Sequence, residues 1–292
     1  MKRSYNKISV LIVLLVISIS CTEVVEIELD STYDRLVVFG KVTTDHERHY
    51  VELTTTSDYF YNEEPPPVTG ATVRIMAGDS LITLEESAVW PGIYQMSAPY
   101  TGVQGVTYQL KISNVDIDND GESEEYSAIA RMPFIEKPDS ISLERFITPF
   151  FSGTQVTLWS PEAMGTNYYN FQLTRNEEMI HNRLSQYTVQ PDDFFTDNYI
   201  AGLPVGFLDD DNEDEVVVPG DEVTLVISSI TEDYYNFIVE AQNEIFGNNP
   251  LFSGPPANVS SNIEGDDAVG VFAAYSIERN SKIVPLPAIP QK

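Results

Sequence analysis

The chain has 292 residues and a formal net charge of −29, because 45 acidic side chains stand against 16 basic ones. A hydrophobic content of 42% is enough to bury a core and is too high for a disordered chain. A surface this acidic repels phosphate groups, which excludes nucleic acid as a partner and argues against binding to anionic lipid headgroups. The length allows about two domains.

The N-terminus has the composition and order of a secretory signal peptide. Three basic residues precede an apolar run over residues 8–19, and small serines stand just before Cys21. The apolar run is too short to cross a bilayer comfortably as a helix. We therefore predict that residues 1–20 are an export signal that is removed.

Cys21 is the single cysteine of the chain, so it has no partner for a disulfide. A signal sequence that ends on a cysteine resembles the lipobox of bacterial lipoproteins, although Ser18 stands where the commonest lipoboxes have leucine. In those proteins the thiol carries a diacylglyceryl group, and several acyl chains, at about 0.8 kcal/mol per buried CH₂, anchor a protein stably. We expect Cys21 to be lipidated and to fix the chain to a lipid bilayer. The alternative is an ordinary signal peptide that contains a cysteine by chance.

Residues 21–34 form an acidic tether that carries Glu23, Glu26, Glu28 and Asp30. Acidic residues behind a lipidated cysteine resemble the surface-export signal of lipoproteins from the Bacteroidetes, although the acids here are spaced. We therefore expect a protein of the outer membrane that faces the cell exterior.

Residues 35–134 consist of short alternating or β-branched segments separated by turn residues. This pattern predicts an Ig-like antiparallel β-sandwich. The motifs around Gly40, Gly70, Gly92 and Gly105 also resemble carboxypeptidase-regulatory-like (prealbumin-like) sandwiches. The predicted strands are residues 35–44, 50–57, 70–77, 80–87, 92–98, 106–114 and 125–133.

Residues 140–281 predict a second antiparallel β domain that carries one helix, so the fold class is mainly β. The helix is predicted near residues 230–246 from apolar positions at helical spacing, with Ser229 and Glu232 as a capping box and Gly247 as its end. Residues 282–292 form a Pro-rich tail. The predicted strands of this domain are residues 140–148, 154–160, 167–175, 183–190, 214–220, 221–230 and 271–275.

Several motifs occur together in one order along the chain. They are the lipobox cysteine, LVVFGKVT, PVTGATV, GIYQ, GVTYQLKI, PDSI, NYYNF, ISSITEDYYNF and SNIEG…GVFAAYS. Together they resemble the four-two-four-nine domain-of-unknown-function family of Bacteroidetes outer-membrane lipoproteins. The resemblance implies a role beside a TonB-dependent receptor, and it supplies no catalytic residues.

One acidic loop resembles the first half of a calcium-binding loop, in which alternate oxygens converge on the cation. The candidate ligands are Asp116, Asp118, Asp120 and Glu122, with Glu122, Glu124 or Glu125 as the substitute for the carboxylate at position twelve. Position twelve is Ser127, which offers no bidentate carboxylate, and strands flank the loop. The alternative is a solvated acidic hairpin tip, and we interpret the second acidic cluster, residues 208–215, as a charged loop.

The sequence favours binding over catalysis. It contains no HExxH, GxSxG, P-loop or dinucleotide-binding motif, and its three histidines are expected at the surface. Two aromatic groups stand in predicted loops: Tyr59, Phe60 and Tyr61, and Phe146, Phe150 and Phe151. Exposed rings of this kind serve recognition, or they fold back over a small core.

These observations predict an outer-membrane lipoprotein that is a non-catalytic binding accessory of a TonB-dependent β-barrel transporter, with an unknown ligand. The proposed binding residues are Tyr59, Phe60 and Tyr61. The alternative is a structural or adhesive surface module stabilised by calcium. No cofactor is certain, and calcium is the candidate.

Overall fold

The computed structural model describes residues 34–57, 64–118, 120–194, 199–247 and 259–285. The expectations for Cys21, for the tether and for the aromatic group at residues 59–61 lie outside the described residues. Within these ranges the chain forms fifteen strands, one α-helix and two 3₁₀ turns. The strands are β1 (Leu36–Thr43), β2 (Tyr50–Thr55), β3 (Thr72–Ala77), β4 (Ser80–Glu86), β5 (Ile93–Met96), β6 (Thr107–Val115), β7 (Glu124–Arg131), β8 (Ser140–Ile147), β9 (Ser152–Pro161), β10 (Tyr168–Arg175), β11 (Glu178–Met179), β12 (Thr188–Pro191), β13 (Tyr199–Asp209), β14 (Glu222–Ile230) and β15 (Ala268–Ile283), the helix is α1 (Glu232–Gly247), and the 3₁₀ turns are Leu184–Gln186 and Asp192–Phe194.

The predicted mainly β class is confirmed, and the strands lie in two sheets. The large sheet has the order β11-β10-β14-β15-β1-β2-β5-β4-β3-β6-β7, with β12 also paired to β10. The small sheet has the order β13-β9-β8. Among the paired strands of the described residues, β1 and β15 alone run parallel, so the large sheet is mixed and not purely antiparallel.

Strand β15 connects the parts of the molecule that precede and follow residue 134. Its first half pairs with β1 and its second half pairs with β14. Phe272 and Ala274 face the core of the first seven strands, whereas Val271 and Ala273 face the helix. A strand that is buried on both faces has a continuous run of apolar residues, as VGVFAAY in β15 does. The boundary near residue 134 remains a prediction, although the sheet is continuous across it.

The pairing of β1 with β15 depends on a glycine. Gly270 lies opposite Val38 and has φ +117°, a conformation that L side chains rarely adopt. A Cβ atom at this position would lie 2.0 Å from the carbonyl oxygen of Val38. Glycine therefore allows the two backbones to approach.

Two further cores complete the fold. The small sheet packs on β10 and β14 around residues such as Val156, Leu173 and Leu225. Helix α1 packs on the outer face of the large sheet through Tyr234 and Ile238. Within the part of the chain described, no helix is long and apolar enough to cross a membrane.

The predicted capping box is wrong. Ser229 lies inside β14 with its side chain buried, because β14 continues to Ile230 before the helix starts. Thr231 caps the helix instead, since its Oγ1 accepts the N–H of Tyr234 at 3.3 Å. The helix itself extends over Glu232–Gly247, close to its predicted bounds.

Two strand predictions in the second half are also wrong. The segment over residues 214–220 is irregular, because its backbone binds side chains: the guanidinium of Arg175 donates to the carbonyl of Val216, and the Val218 N–H donates to Asp221. The segment over residues 183–190 begins as the 3₁₀ turn Leu184–Gln186, and the strand follows only from Thr188.

Candidate functional site

A groove of about 870 Å³ lies on the outer face of β1, β2 and β5. Side chains of a strand alternate between its two faces, so Val37 and Phe39 line the groove while Leu36 and Val38 face the core. Two outward residues of β1, Val37 and Phe39, are therefore apolar like the inward ones. Such a strand face is only half covered and leaves apolar surface available to a ligand.

One wall of the groove carries an exposed tryptophan. Trp90 lines the groove together with Pro91, and 67% of its surface is exposed. The turn that presents it is ordered, because the N–H groups of Val89 and Trp90 donate to Ser87 Oγ at 3.3 and 3.2 Å. The indole is thus held at the rim of the groove and not in a core.

Residues 64–67 form another part of the groove wall. Glu64, Pro65 and Pro67 line the groove, and Pro67 forms a bridge to Thr54 of β2. The predicted binding residues at 59–61 precede this wall in the sequence, but their own positions lie outside the described residues. The structure therefore shows a site next to them in sequence without showing those three side chains.

The charge of the groove restricts its ligands. Its described lining includes the carboxylates of Glu52 and Glu64 and no basic residue. The rings of Phe39, Tyr50 and Trp90 supply apolar contact area. Rings combined with carboxylates suit a neutral or cationic ligand and repel an anionic one.

The acidic loop between β6 and β7 brings four carboxylates together. Oxygen atoms of Asp116, Asp118, Asp120 and Glu124 lie within 4.8 Å of one another. Glu122 is not in this group. Because β6 is bulged between Ile112 and Val115, the start of β7 places the side chain of Glu124 beside the aspartates.

The aspartates of this loop also accept hydrogen bonds from backbone N–H groups of the same loop. The N–H of Asp120 donates to Asp118 at 3.1 Å, the N–H of Gly121 donates to Asp116 at 3.1 Å, and the N–H of Glu122 donates to Asp120 at 2.7 Å. Such bonds are typical of Asp-rich turns with or without a cation. The residue types fit a hard cation such as calcium, and the local bonds equally fit an acidic turn.

The histidines do not come together, and two of them depart from the expected surface location. His49 is buried, with its Nε2 atom 2.9 Å from the carbonyl oxygen of Tyr100. His181 is also buried, and burial lowers its pKa below the usual value. His46 is exposed and contacts Thr101. The strand pattern could have indicated the burial of His49, which immediately precedes β2.

Comparison with known proteins agrees with the motif order of the sequence. A family model described as "Domain of unknown function (DUF4249)" matches residues 22–281. The chain belongs to the DUF4249 family. The match extends from residue 22 almost to the end of β15, so the family unit of this DUF4249 protein includes the groove and the acidic loop. A comparison with curated proteins finds no match.

Proposed function

We propose that this DUF4249 protein is a lipid-anchored protein of the outer membrane that captures a neutral or cationic ligand in the Trp90 groove and acts as a non-catalytic accessory of a TonB-dependent transporter. The lipobox-like position of Cys21 and the family resemblance support the anchor and the partner. The exposed indole in an ordered, acidic groove carries the binding role.

The energy available from Trp90 is sufficient for recognition. Burying the exposed part of the indole, roughly 150 Å², stabilises a complex by about 3–4 kcal/mol before the entropic costs of binding. Truncation of an aromatic anchor commonly weakens binding by more than about 1 kcal/mol, which corresponds to at least about fivefold in affinity. A Trp90→Ala variant is therefore expected to lose most of the affinity.

The residues of the groove fit a binding role. Its described lining contains no histidine, cysteine, lysine or serine that would act as a nucleophile or base beside the two carboxylates. Apolar and aromatic side chains combined with a few polar groups are the usual composition of a recognition site.

The binding role is tested with Trp90 as its own reporter. The chain has two tryptophans, so a Trp159→Phe variant leaves Trp90 as the single source of indole emission. We expect a neutral oligosaccharide or a basic peptide to shift this emission and an acidic peptide to leave it unchanged. Val89→Ala, which alters an equally exposed neighbour outside the groove, is the matched control for Trp90→Ala. Equal responses to acidic and basic probes would contradict the assignment. Because Trp90→Ala removes the reporter indole, its affinity is measured by calorimetry, and an affinity equal to that of the wild type would also contradict the assignment.

The accessory role has a separate test. The tagged full chain is extracted in mild detergent from cells that produce it and is purified. We expect a β-barrel receptor to be recovered with it, and recovery of the chain alone would remove this part of the proposal.

A second candidate function, a surface module stabilised by calcium, is favoured by the carboxylate group Asp116, Asp118, Asp120 and Glu124. A cation bound there would fix the β6–β7 hairpin. This second function predicts a calcium-dependent gain in the free energy of unfolding, which the binding role does not.

A further inference from the structure

The hairpin between β8 and β9 ends in an exposed apolar tip. Ile147, Phe150 and Phe151 are 77%, 91% and 48% exposed. Single exposed apolar residues are common on soluble proteins, whereas three large ones within five positions of one turn form a patch that indicates an interaction site. We call Ile147, Phe150 and Phe151 the hairpin tip.

The hairpin tip is ordered by a single threonine. The backbone N–H and the hydroxyl of Thr148 donate to the carbonyl of Phe151 at 2.9 and 2.8 Å. The N–H groups of Phe150 and Phe151 in turn donate to Thr148 Oγ1 at 3.3 and 3.0 Å. The ring of Phe151 packs edge-on against Phe207, with centroids 5.9 Å apart. Phe150 is therefore presented to solvent by a turn that is already ordered, and this lowers the entropic cost of docking it.

An acidic loop borders the hairpin tip. The N–H of Asp210 donates to the carbonyl of Ser152 at 3.1 Å, so the loop over residues 209–215 starts directly beside the hairpin. Arg145 of β8 is already paired with Asp210 through both of its terminal nitrogens. The exposed acids that follow in this loop form none of the described ion pairs: Asp211, Glu213 and Asp214. Asp214 borders a cavity that Arg175 and Arg183 also line.

We infer that the hairpin tip docks into a separate protein whose surface offers an apolar pocket for Phe150 bordered by lysine and arginine side chains. The phenylalanine supplies the apolar anchor, and the acidic loop supplies a charged rim, which is the usual division of roles in an interface. The acids at the rim also accelerate encounter with a basic partner and reject an acidic one.

The same charges argue against the two other occupants. A bilayer with anionic headgroups would be repelled by the acids beside the tip. A second copy would bring one acidic surface against another, because each chain has a net charge of −29. The inference thus selects a basic protein surface by charge complementarity.

The length of β15 separates the hairpin tip from the start of β1. Strand β1 begins beside Ala268 at the start of β15, whereas β14, which follows the acidic loop, begins beside Ile283 at its end. The 16 residues of β15 separate these ends by about 50 Å at roughly 3.3 Å per residue. The hairpin tip, beside the loop that leads to β14, therefore lies away from Leu36, where β1 begins.

The experiment places the photoreactive residue p-benzoylphenylalanine at position 150 of the full-length chain in cells that produce it. Phe246 is another exposed phenylalanine, at the end of α1, and position 246 receives the same probe as a control. We expect light to give one discrete protein adduct from position 150 and none of the same mass from position 246. Mass spectrometry of the adduct is expected to map the crosslink to an apolar segment of the partner flanked by lysine or arginine.

The charge requirement is tested in the same cells by replacing the acids of the rim with their amides. The combined variant Asp211→Asn, Glu213→Gln, Asp214→Asn is expected to lower the adduct yield about tenfold. Replacement of three exposed acids elsewhere, Asp79, Glu85 and Glu177, with their amides is the matched control and should leave the yield unchanged.

Each other outcome overturns the inference. An adduct with a second copy identifies self-association, an adduct with lipid alone identifies membrane contact, and no adduct shows that the tip has no occupant. An adduct that the rim variant leaves unchanged removes the charge complementarity. Because the probe does not involve the groove or Cys21, these results are distinct from failure of the proposed function.

Discussion

Substituting Gly270 with alanine tests the role of β15 as the strand shared by both parts of the fold. The new Cβ would lie 2.0 Å from the carbonyl oxygen and 2.8 Å from the carbonyl carbon of Val38. These are backbone atoms of β1, so no side-chain rotation relieves the contact. Strands β1 and β15 would have to separate or slide along each other.

The structure also offers a control that isolates this contact. Gly220 has φ +102°, close to the +117° of Gly270, but a Cβ there would have no atom within 4 Å. Backbone strain of this kind costs about 1–3 kcal/mol, and both alanine variants incur it. Overpacking costs a further ~1–3 kcal/mol, and only Gly270→Ala incurs it.

The two contributions predict a clear difference between the variants. For a chain of this size 1 kcal/mol shifts the melting temperature by roughly 2–4 °C, so Gly270→Ala should melt about 2–12 °C below Gly220→Ala. The measurement is thermal unfolding followed by circular dichroism and indole fluorescence. Equal melting temperatures for the two variants would refute the close approach of β1 and β15, and with it the shared strand.

Three further predictions concern single interactions. If the β6–β7 loop binds calcium, calcium at 100 times the dissociation constant should stabilise the wild type by about 2.7 kcal/mol. The variant Asp118→Ala should lose this effect and the control Asp211→Ala should keep it. A wild type that does not respond to calcium would identify the loop as a solvated acidic turn. Thr231→Ala should lower the free energy of unfolding by about 1 kcal/mol because it removes the helix cap, and Ser229→Ala should lower it by less in the same denaturant titration. The reverse order would indicate that Ser229 caps the helix. Burial, with a smaller contribution from the charge of Asp192, raises the pKa of Glu162 in the folded protein. The contribution of the Glu162 carboxyl to stability is therefore fully present below its unfolded pKa near 4.5 and is lost as the pH rises through its folded pKa. Glu162→Gln should therefore raise the melting temperature near neutral pH and leave it unchanged in acid, and a loss at neutral pH would contradict the sign.

Local pattern predicted most elements because their burial follows the period of the strand or helix. Strand β1 and helix α1 are examples, with Tyr234 and Ile238 at helical spacing under the helix. The sequence pattern does not predict strand β13, because Gly202, Pro204 and Gly206 are residue types that usually indicate turns. In the structure these residues lie at or beside the two bulges where β13 changes register against β9.

The sites depend on pairings that no local pattern contains. The groove forms because β1, β2 and β5 become neighbours and because Trp90 and residues 64–67, which are distant in the sequence, both line it. Replacement of Glu122 by Glu124 in the carboxylate group follows from a bulge in β6. The alternating aspartates were visible in the sequence, but the ligand that completes the group was set by strand register.

The anchor at Cys21 is tested most directly by metabolic labelling with an alkyne-bearing palmitate analogue, comparing the wild type with Cys21→Ser. We predict that the wild-type chain becomes labelled and enters the detergent phase of a Triton X-114 separation, while the serine variant does neither. A wild-type chain that is exported yet carries no label and stays in the aqueous phase would contradict the account of a membrane-anchored binding protein.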